Sequence, residues 1–228
     1  MIEFLFIDLD DTVLDFQKAE RIALAKTLQS FGLEPEAEVL SRYHLINKGY
    51  WERLERKEVT REALLVDRFG DLFAEYGMSV DPVQCARTYE KNLGTGHYFL
   101  PGAREAVESL SKKYKLYLAS NGTSHVQAGR IESADIAQFF QGIFISQEIG
   151  VNKPDVEYFN RCFARIPGFD RAKAMIVGDS LSSDILGGKQ AGIRTCWVNP
   201  TGKPAPADLT PDYEIKALSD LENLLNSL

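Results

Sequence analysis

The chain has 228 residues, of which 44% are hydrophobic and 26% charged, and its formal net charge is −7. Its length exceeds one domain of about 150 residues but falls short of two, so one core carrying a sizeable insertion is expected. The negative charge excludes a nonspecific binder of nucleic acid polymers or of anionic membrane surfaces, though a small anion met by a local cation stays open. Cys85, Cys162 and Cys196 are odd in number, far apart and in no CxxC pair, which suits buried thiols in a reducing compartment. The first apolar run, residues 4–7, is too short for a signal peptide or a membrane span, and no basic segment precedes it. A cytoplasmic location is therefore expected, and the Asn121-Gly122-Thr123 glycosylation sequon is discounted.

In chain order, residues 3–9 (EFLFIDL) form a compact apolar run ending in acids and read as a buried strand. Residues 15–98 contain no strand-like run. Amphipathic patterns over 16–31, 36–56, 60–76 and 82–93, broken near Gly32, Lys57, Gly77 and Gly94, predict about four helices. Beyond them, 102–113 reads as a helix, and 116–120 (LYLAS) and 142–146 (GIFIS) as further strands. A helix over 154–165 with Pro154 at its first position, a strand over 174–178 (AMIVG) and a helix over 181–191 capped by Gly192 follow. Residues 194–198 (RTCWV) form a fifth strand, 213–215 an edge strand, and 218–228 a last short helix. Short, continuously apolar strands alternating with helices predict an α/β fold, a Rossmann-like doubly wound parallel sheet. The division expected is a core of residues 1–14 and 99–228 with a helical cap, 15–98, inserted over the carboxyl end of the first strand, where open α/β sheets bind ligands.

Four short pieces carry chemistry. Asp8-Leu9-Asp10-Asp11-Thr12 ends the first strand, and three carboxylates so close are costly without a cation. Ser120-Asn121-Gly122 ends the second strand and offers donors to an anion. Lys153 precedes a helix and supplies a point positive charge suited to phosphate. Gly178-Asp179-Ser180-Leu181-Ser182-Ser183-Asp184 lies where the fourth strand turns into a helix. Taken singly, these are a solvated acidic turn, an ordinary turn, a surface lysine and a capped helix start. Their joint occurrence, in order, at the ends of parallel strands places them on one edge of the sheet. No rival site competes: His44, His97 and His125 form no HxxxH or HExxH pair, and Ser180 lacks the GxSxG elbow.

These residues resemble the four motifs of the haloacid dehalogenase superfamily: DxDxT at Asp8–Thr12, the serine at Ser120, the lysine at Lys153 and the acidic motif at Gly178–Asp184. The resemblance implies that Asp8 attacks phosphorus to form an aspartyl-phosphate, while Asp10 protonates the leaving alcohol and then activates water. It implies Mg²⁺ held by carboxylate oxygens of Asp8 and Asp179 and by the main-chain carbonyl of Asp10, with Asp184 binding the metal or orienting its water. Ser120, Asn121 and Lys153 then hold the phosphoryl oxygens. Acidic surroundings are expected to keep Asp10 protonated near neutral pH. A dehalogenase needs neither a second acid nor a metal, so Asp10, Asp179 and Asp184 point to phosphoryl chemistry.

Substrate choice is expected in the cap. Asn47 and Trp51, at i and i+4, share a helix face, so one can stack on a base or sugar while the other reads polar edges. For Tyr43, Tyr50 and Trp51 the alternative is packing inside the cap. Together with Arg68-Phe69, this pattern is similar to the pyrimidine 5′-nucleotidase branch. A sugar-phosphate phosphatase, a phosphoglycolate phosphatase, a phosphotransferase of the β-phosphoglucomutase kind and an idle regulatory protein are the alternatives. The partner expected is a phosphorylated small molecule, and the chain is expected to be a monomer or homodimer.

Overall fold

The computed structural model describes all 228 residues. Six parallel strands form one sheet in the order β3-β2-β1-β4-β5-β6: β1 (Phe4–Ile7), β2 (Lys115–Ser120), β3 (Gly142–Ile145), β4 (Ala174–Gly178), β5 (Arg194–Val198) and β6 (Tyr213–Ile215). This is the doubly wound order, and the expected α/β fold holds. β1 lies between β2 and β4, with Ile7 paired to Leu118 on one side and Val177 on the other. The chain leaves β1 in opposite directions around that point, and such a switch opens a crevice beyond the strand ends.

The strands read as unbroken apolar runs because both faces are covered. Leu5, Ile7, Leu116, Leu118, Met175 and Val177 face a layer that includes α5 (Ala103–Ser111), α6 (Ser124–Ala134) and α10 (Leu221–Asn226). Phe4, Phe6, Tyr117, Ala119 and Ile176 face α8 (Val156–Phe163) and α9 (Leu186–Ala191), and α7 (Ser146–Ile149) follows β3. All three cysteines are free and buried.

Between β1 and α5 the chain forms α1 (Phe16–Ser30), α2 (Ala37–Glu55), α3 (Arg61–Tyr76) and α4 (Pro82–Leu93). These helices share their own core, in which Tyr43, Phe69 and Tyr89 meet at ring distances of 5.0 to 5.5 Å. Tyr43 and Tyr50 thus pack inside the bundle. The entering and leaving segments run side by side: Asp15 N–H donates to the Tyr98 carbonyl at 2.8 Å and Leu100 N–H to that of Val13 at 3.1 Å. No helix is long and apolar enough to cross a membrane.

Three local expectations change. Pro154 does not open a helix: α8 starts at Val156, capped by Asp155, whose side chain accepts from Glu157 N–H at 3.0 Å. The segment read as one helix over 181–191 begins as a π turn, Leu181–Ile185, in which the Ser180 carbonyl accepts from both Asp184 and Ile185. Finally, α6 has no counterpart in the sequence reading. Its inward face mixes Val126 and Ile131 with Gln127 and Arg130, so the apolar periodicity that marks a helix is missing.

Candidate active site

Each motif residue follows from the strand that carries it. Asp8 leaves β1, with its N–H on the Val177 carbonyl at 2.9 Å, and Asp179 leaves β4 next door. Asp8, Asp179 and Asp184 each offer one oxygen, and these lie within 4.8 Å of one another. Lys153 reaches them from beyond β3. Its ammonium donates to Asp8 Oδ1 at 2.7 Å, to Asp184 Oδ1 at 2.6 Å and to the Ala119 carbonyl at 2.7 Å. Burial alone would weaken that positive charge, but Asp184 and Asp8 outweigh it and hold Lys153 above the ordinary lysine value. All three of its protons are placed on protein oxygens, so Lys153 orients the Asp8 carboxylate and neutralises the acids.

One lysine does not balance three carboxylates. Burial pushes Asp8 up to about 8 despite Lys153, with Asp184 and Asp10 adding to the rise. Burial and then Asp8, Asp184 and Asp11 drive Asp179 well above the usual carboxyl range. Oxygen donors that cannot all ionise alone are the donor set of a hard divalent cation, and the residues present fit one. Asp184 reaches the cluster because of the π turn: its Oδ2 accepts from Ser180 N–H at 3.1 Å, folding the side chain back over Gly178. A Cβ at Gly178 would lie 2.1 Å from that oxygen, so only glycine leaves it room.

Ser120 and Asn121 end β2. Ser120 Oγ accepts from Gly122 N–H at 3.2 Å and from Gln127 Nε2 at 2.8 Å. The Asn121 side chain is spent on the main chain of Lys153, donating to its carbonyl at 2.9 Å and accepting from its N–H at 2.8 Å. It braces the lysine instead of presenting its amide to an anion. Asp11 turns away and accepts from Phe16 N–H at 2.9 Å at the entry to α1. Asp10 differs from expectation most. Its carboxylate faces donors and not only acids: Gln127 Nε2 at 2.7 Å and the buried guanidinium of Arg130.

The bundle closes the crevice into a cavity of about 340 Å³, lined from below by Asp8, Asp10, Ser120 and Lys153 and from above by Asn47, Trp51, His44 and Arg68. Asn47 is buried and held from both ends: its amide donates to Glu20 Oε1 at 2.6 Å and accepts from Arg68 Nη1 at 2.7 Å. Glu20 Oε2 pairs with His44 Nδ1 at 2.6 Å, and this bond raises the imidazole above its ordinary value. Arg68 lies over the rings of Tyr43, Phe69 and Tyr89. Trp51 borders the cavity and carries the Arg61 guanidinium 5.4 Å from its ring.

Arg61 also fastens the bundle to the core. It donates to the carbonyls of Asn121 and Gly122 at 3.1 Å each, to Ser146 Oγ at 2.8 Å and to Asn152 Oδ1 at 2.6 Å. Ser182 Oγ donates to Glu55 Oε2 at 2.8 Å, and Lys57 pairs with Asp155 at 2.8 Å. Sequence reasoning missed Glu20, Arg61, Gln127 and Arg130. The available signal was a charge on a buried stripe: Glu20 sits beside Ala19, Ala23 and Leu24, and Arg130 beside Val126 and Ile131.

Comparison with known proteins finds relatives along nearly the whole chain. The chain is 39% identical over 222 residues to the HAD-hydrolase YfnB of Bacillus subtilis, covering 97% of this chain and 94% of that one. A crystal structure of YfnB bound to magnesium, which reveals interdomain movement, superposes with a TM-score of 0.94 over 99% of each chain at 38% identity. The pyrimidine 5′-nucleotidases PynA of Streptococcus pneumoniae and YjjG of Escherichia coli are 35% and 29% identical, covering 98% of this chain in both cases and 95% and 97% of theirs. The model of the haloacid dehalogenase-like hydrolases matches residues 5–198. With that match running from β1 through the bundle to β5 and taking in all four motifs, the chain belongs to the haloacid dehalogenase-like hydrolase family.

Proposed function

We propose that this protein is a magnesium-dependent phosphatase that releases phosphate from pyrimidine nucleoside 5′-monophosphates. The observation that carries the reading is the meeting of Asp8, Asp10, Ser120, Lys153, Asp179 and Asp184 in one cavity beneath a polar, aromatic-lined bundle. Its size suits a small molecule and not a polymer. The activity named for PynA and YjjG supports the nucleotide assignment.

In this reading Asp8 is the nucleophile, its carboxylate oriented by Lys153. Asp10 gives a proton to the departing alcohol and then takes one from the water that cleaves the aspartyl-phosphate. Ser120 and the main-chain N–H groups after β2 hold the phosphoryl oxygens. Asp8, Asp179 and Asp184, with the Asp10 carbonyl, would hold Mg²⁺, whose charge offsets that of the phosphate as it meets the carboxylate. Four helices serve as the cap: Asn47, oriented by Glu20 and Arg68 and lining the cavity, keeps one N–H and one lone pair for the polar edge of the base, and Trp51 supplies a stacking face.

The test is phosphate release from a panel of nucleoside monophosphates and sugar phosphates, with Mg²⁺, with EDTA and with Asp8→Asn. Release highest on pyrimidine 5′-monophosphates, abolished by EDTA and reduced at least about 10⁴-fold by Asp8→Asn, is the expected outcome. Release confined to sugar phosphates would keep the phosphatase and remove the nucleotidase. Full activity of Asp8→Asn would remove the mechanism.

A further inference from the structure

We infer that Gln127 and Arg130, one turn apart on α6, are positioning residues that aim Asp10 at the departing oxygen. This rests on the phosphatase reading above and adds to it the means by which the acid is held.

Both oxygens of Asp10 are gripped from a single helix. Gln127 Nε2 donates to Oδ2 at 2.7 Å and to Ser120 Oγ at 2.8 Å, so one amide ties the proposed acid to the proposed phosphate-holding serine. Arg130 Nη1 donates to Oδ1 and also to Gln127 Oε1 at 3.0 Å, which fixes the orientation of the glutamine. Arg130 Nε donates to the Gly96 carbonyl at 3.0 Å, anchoring the guanidinium on the segment that returns from the bundle. Each oxygen of Asp10 keeps a second lone pair, on which it carries the transferred proton once the negative charge of a bound phosphate offsets that of the guanidinium.

The arrangement is expensive, which argues against an incidental contact. Arg130 is 0% exposed and Gln127 2%. Burying a guanidinium costs several kcal/mol or more unless it is paired. Its carboxylate partner is Asp10, on the far side of a domain-spanning sequence gap, and that side chain is itself partly exposed to the cavity. The chain also leaves space for the grip: a Cβ at Gly122 would lie 2.3 Å from Gln127 Nε2.

The step so guided is balanced. A carboxylate oxygen of Asp8 bonds to phosphorus as the bond from phosphorus to the ester oxygen breaks, and the Asp10 proton moves to that oxygen to give the alcohol. Water then bonds to phosphorus through its oxygen and returns a proton to Asp10, as the bond between phosphorus and Asp8 breaks. An alkoxide needs that proton in order to leave, whereas p-nitrophenolate leaves as a stable anion. A residue that aims the acid must therefore matter more for alkyl than for aryl esters. kcat/KM reports only the steps up to alcohol departure, so the later use of Asp10 as a base does not blur the comparison.

The experiment measures kcat/KM for the full-length protein with Mg²⁺, using uridine 5′-monophosphate and glucose 6-phosphate as alkyl esters and p-nitrophenyl phosphate as the aryl ester. Arg130→Met, Arg130→Lys and Gln127→Leu are compared with the unaltered chain, with thermal melts recorded alongside. For Arg130→Met we expect a loss of about 100-fold on whichever alkyl ester is turned over, at least about tenfold greater than on the aryl ester, as for a general acid put out of line. Arg130→Lys should recover part of it. Should Arg130→Met fail to fold, Gln127→Leu carries the same comparison with an uncharged residue. Equal losses on both ester types, or no loss in folded variants, would overturn the proposal. If the unaltered chain releases phosphate from none of the three esters, the phosphatase reading itself fails, a pattern distinct from equal losses in the variants.

Discussion

Asp184 reaches the acidic cluster only because Gly178 carries no side chain and the chain makes a π turn immediately afterwards. An added methyl at residue 178 would have to displace a carboxylate that also holds Lys153 at 2.6 Å. Gly178→Ala is therefore expected to raise the Mg²⁺ concentration for half-maximal phosphate release by at least about tenfold, or ~1.4 kcal/mol. A magnesium titration of activity checks this, and an unshifted curve would show that Asp184 tolerates the displacement. Asn121 makes a similar point at the scale of one side chain. Its residue type suggests an anion ligand, yet both ends of its amide are used by the Lys153 main chain. Residue type and position on a strand end were readable, but the partner of each polar atom was not.

At the scale of elements, α3 and α6 decide how the bundle meets the sheet. Arg61, near the start of α3, makes four hydrogen bonds to the core, all to neutral oxygens. Burial depresses its pKa, and the Glu62 carboxylate opposes that shift. A charged donor commonly contributes about 1.5–3 kcal/mol per bond when its partners are neutral. Arg61→Ala is thus expected to free the bundle: linkers near Leu14 and Phe99 should be cut faster by protease, and KM for the best substrate should rise about tenfold. Proteolysis unchanged from the parent would show that the Lys57–Asp155 and Glu55–Ser182 contacts suffice. For α6 the opposite lesson applies. Helix signals in a sequence come from an apolar stripe, and α6 carries Gln127 and Arg130 on that stripe because it faces the site.

At the scale of the whole molecule, the acidic cluster opposes folding until a cation arrives. Asp8 is pushed up to about 8, whereas in an unfolded chain it titrates near 3.9. Between those values the folded chain binds more protons than the unfolded one, so stability falls as pH rises. In EDTA the melting temperature is expected to drop from pH 5 to pH 8, and Asp8→Asn should flatten the slope. Mg²⁺ would bind the ionised form, so its stabilisation should grow over the same range. Calorimetry with and without metal checks the sign, and a rise in EDTA would contradict it. By itself the sequence determined the parallel sheet, because strands covered on both faces must be apolar throughout, and it determined which acids and serine stand at the strand ends and which lysine lies in the connection before α8. Only the tertiary structure decided which of them touch. The grip of α6 on Asp10, the bracing of Asn47 by Glu20 and Arg68, and the hold of Arg61 on the core all join residues far apart in the chain. Such pairings arise from packing geometry, which no local pattern of residue types records.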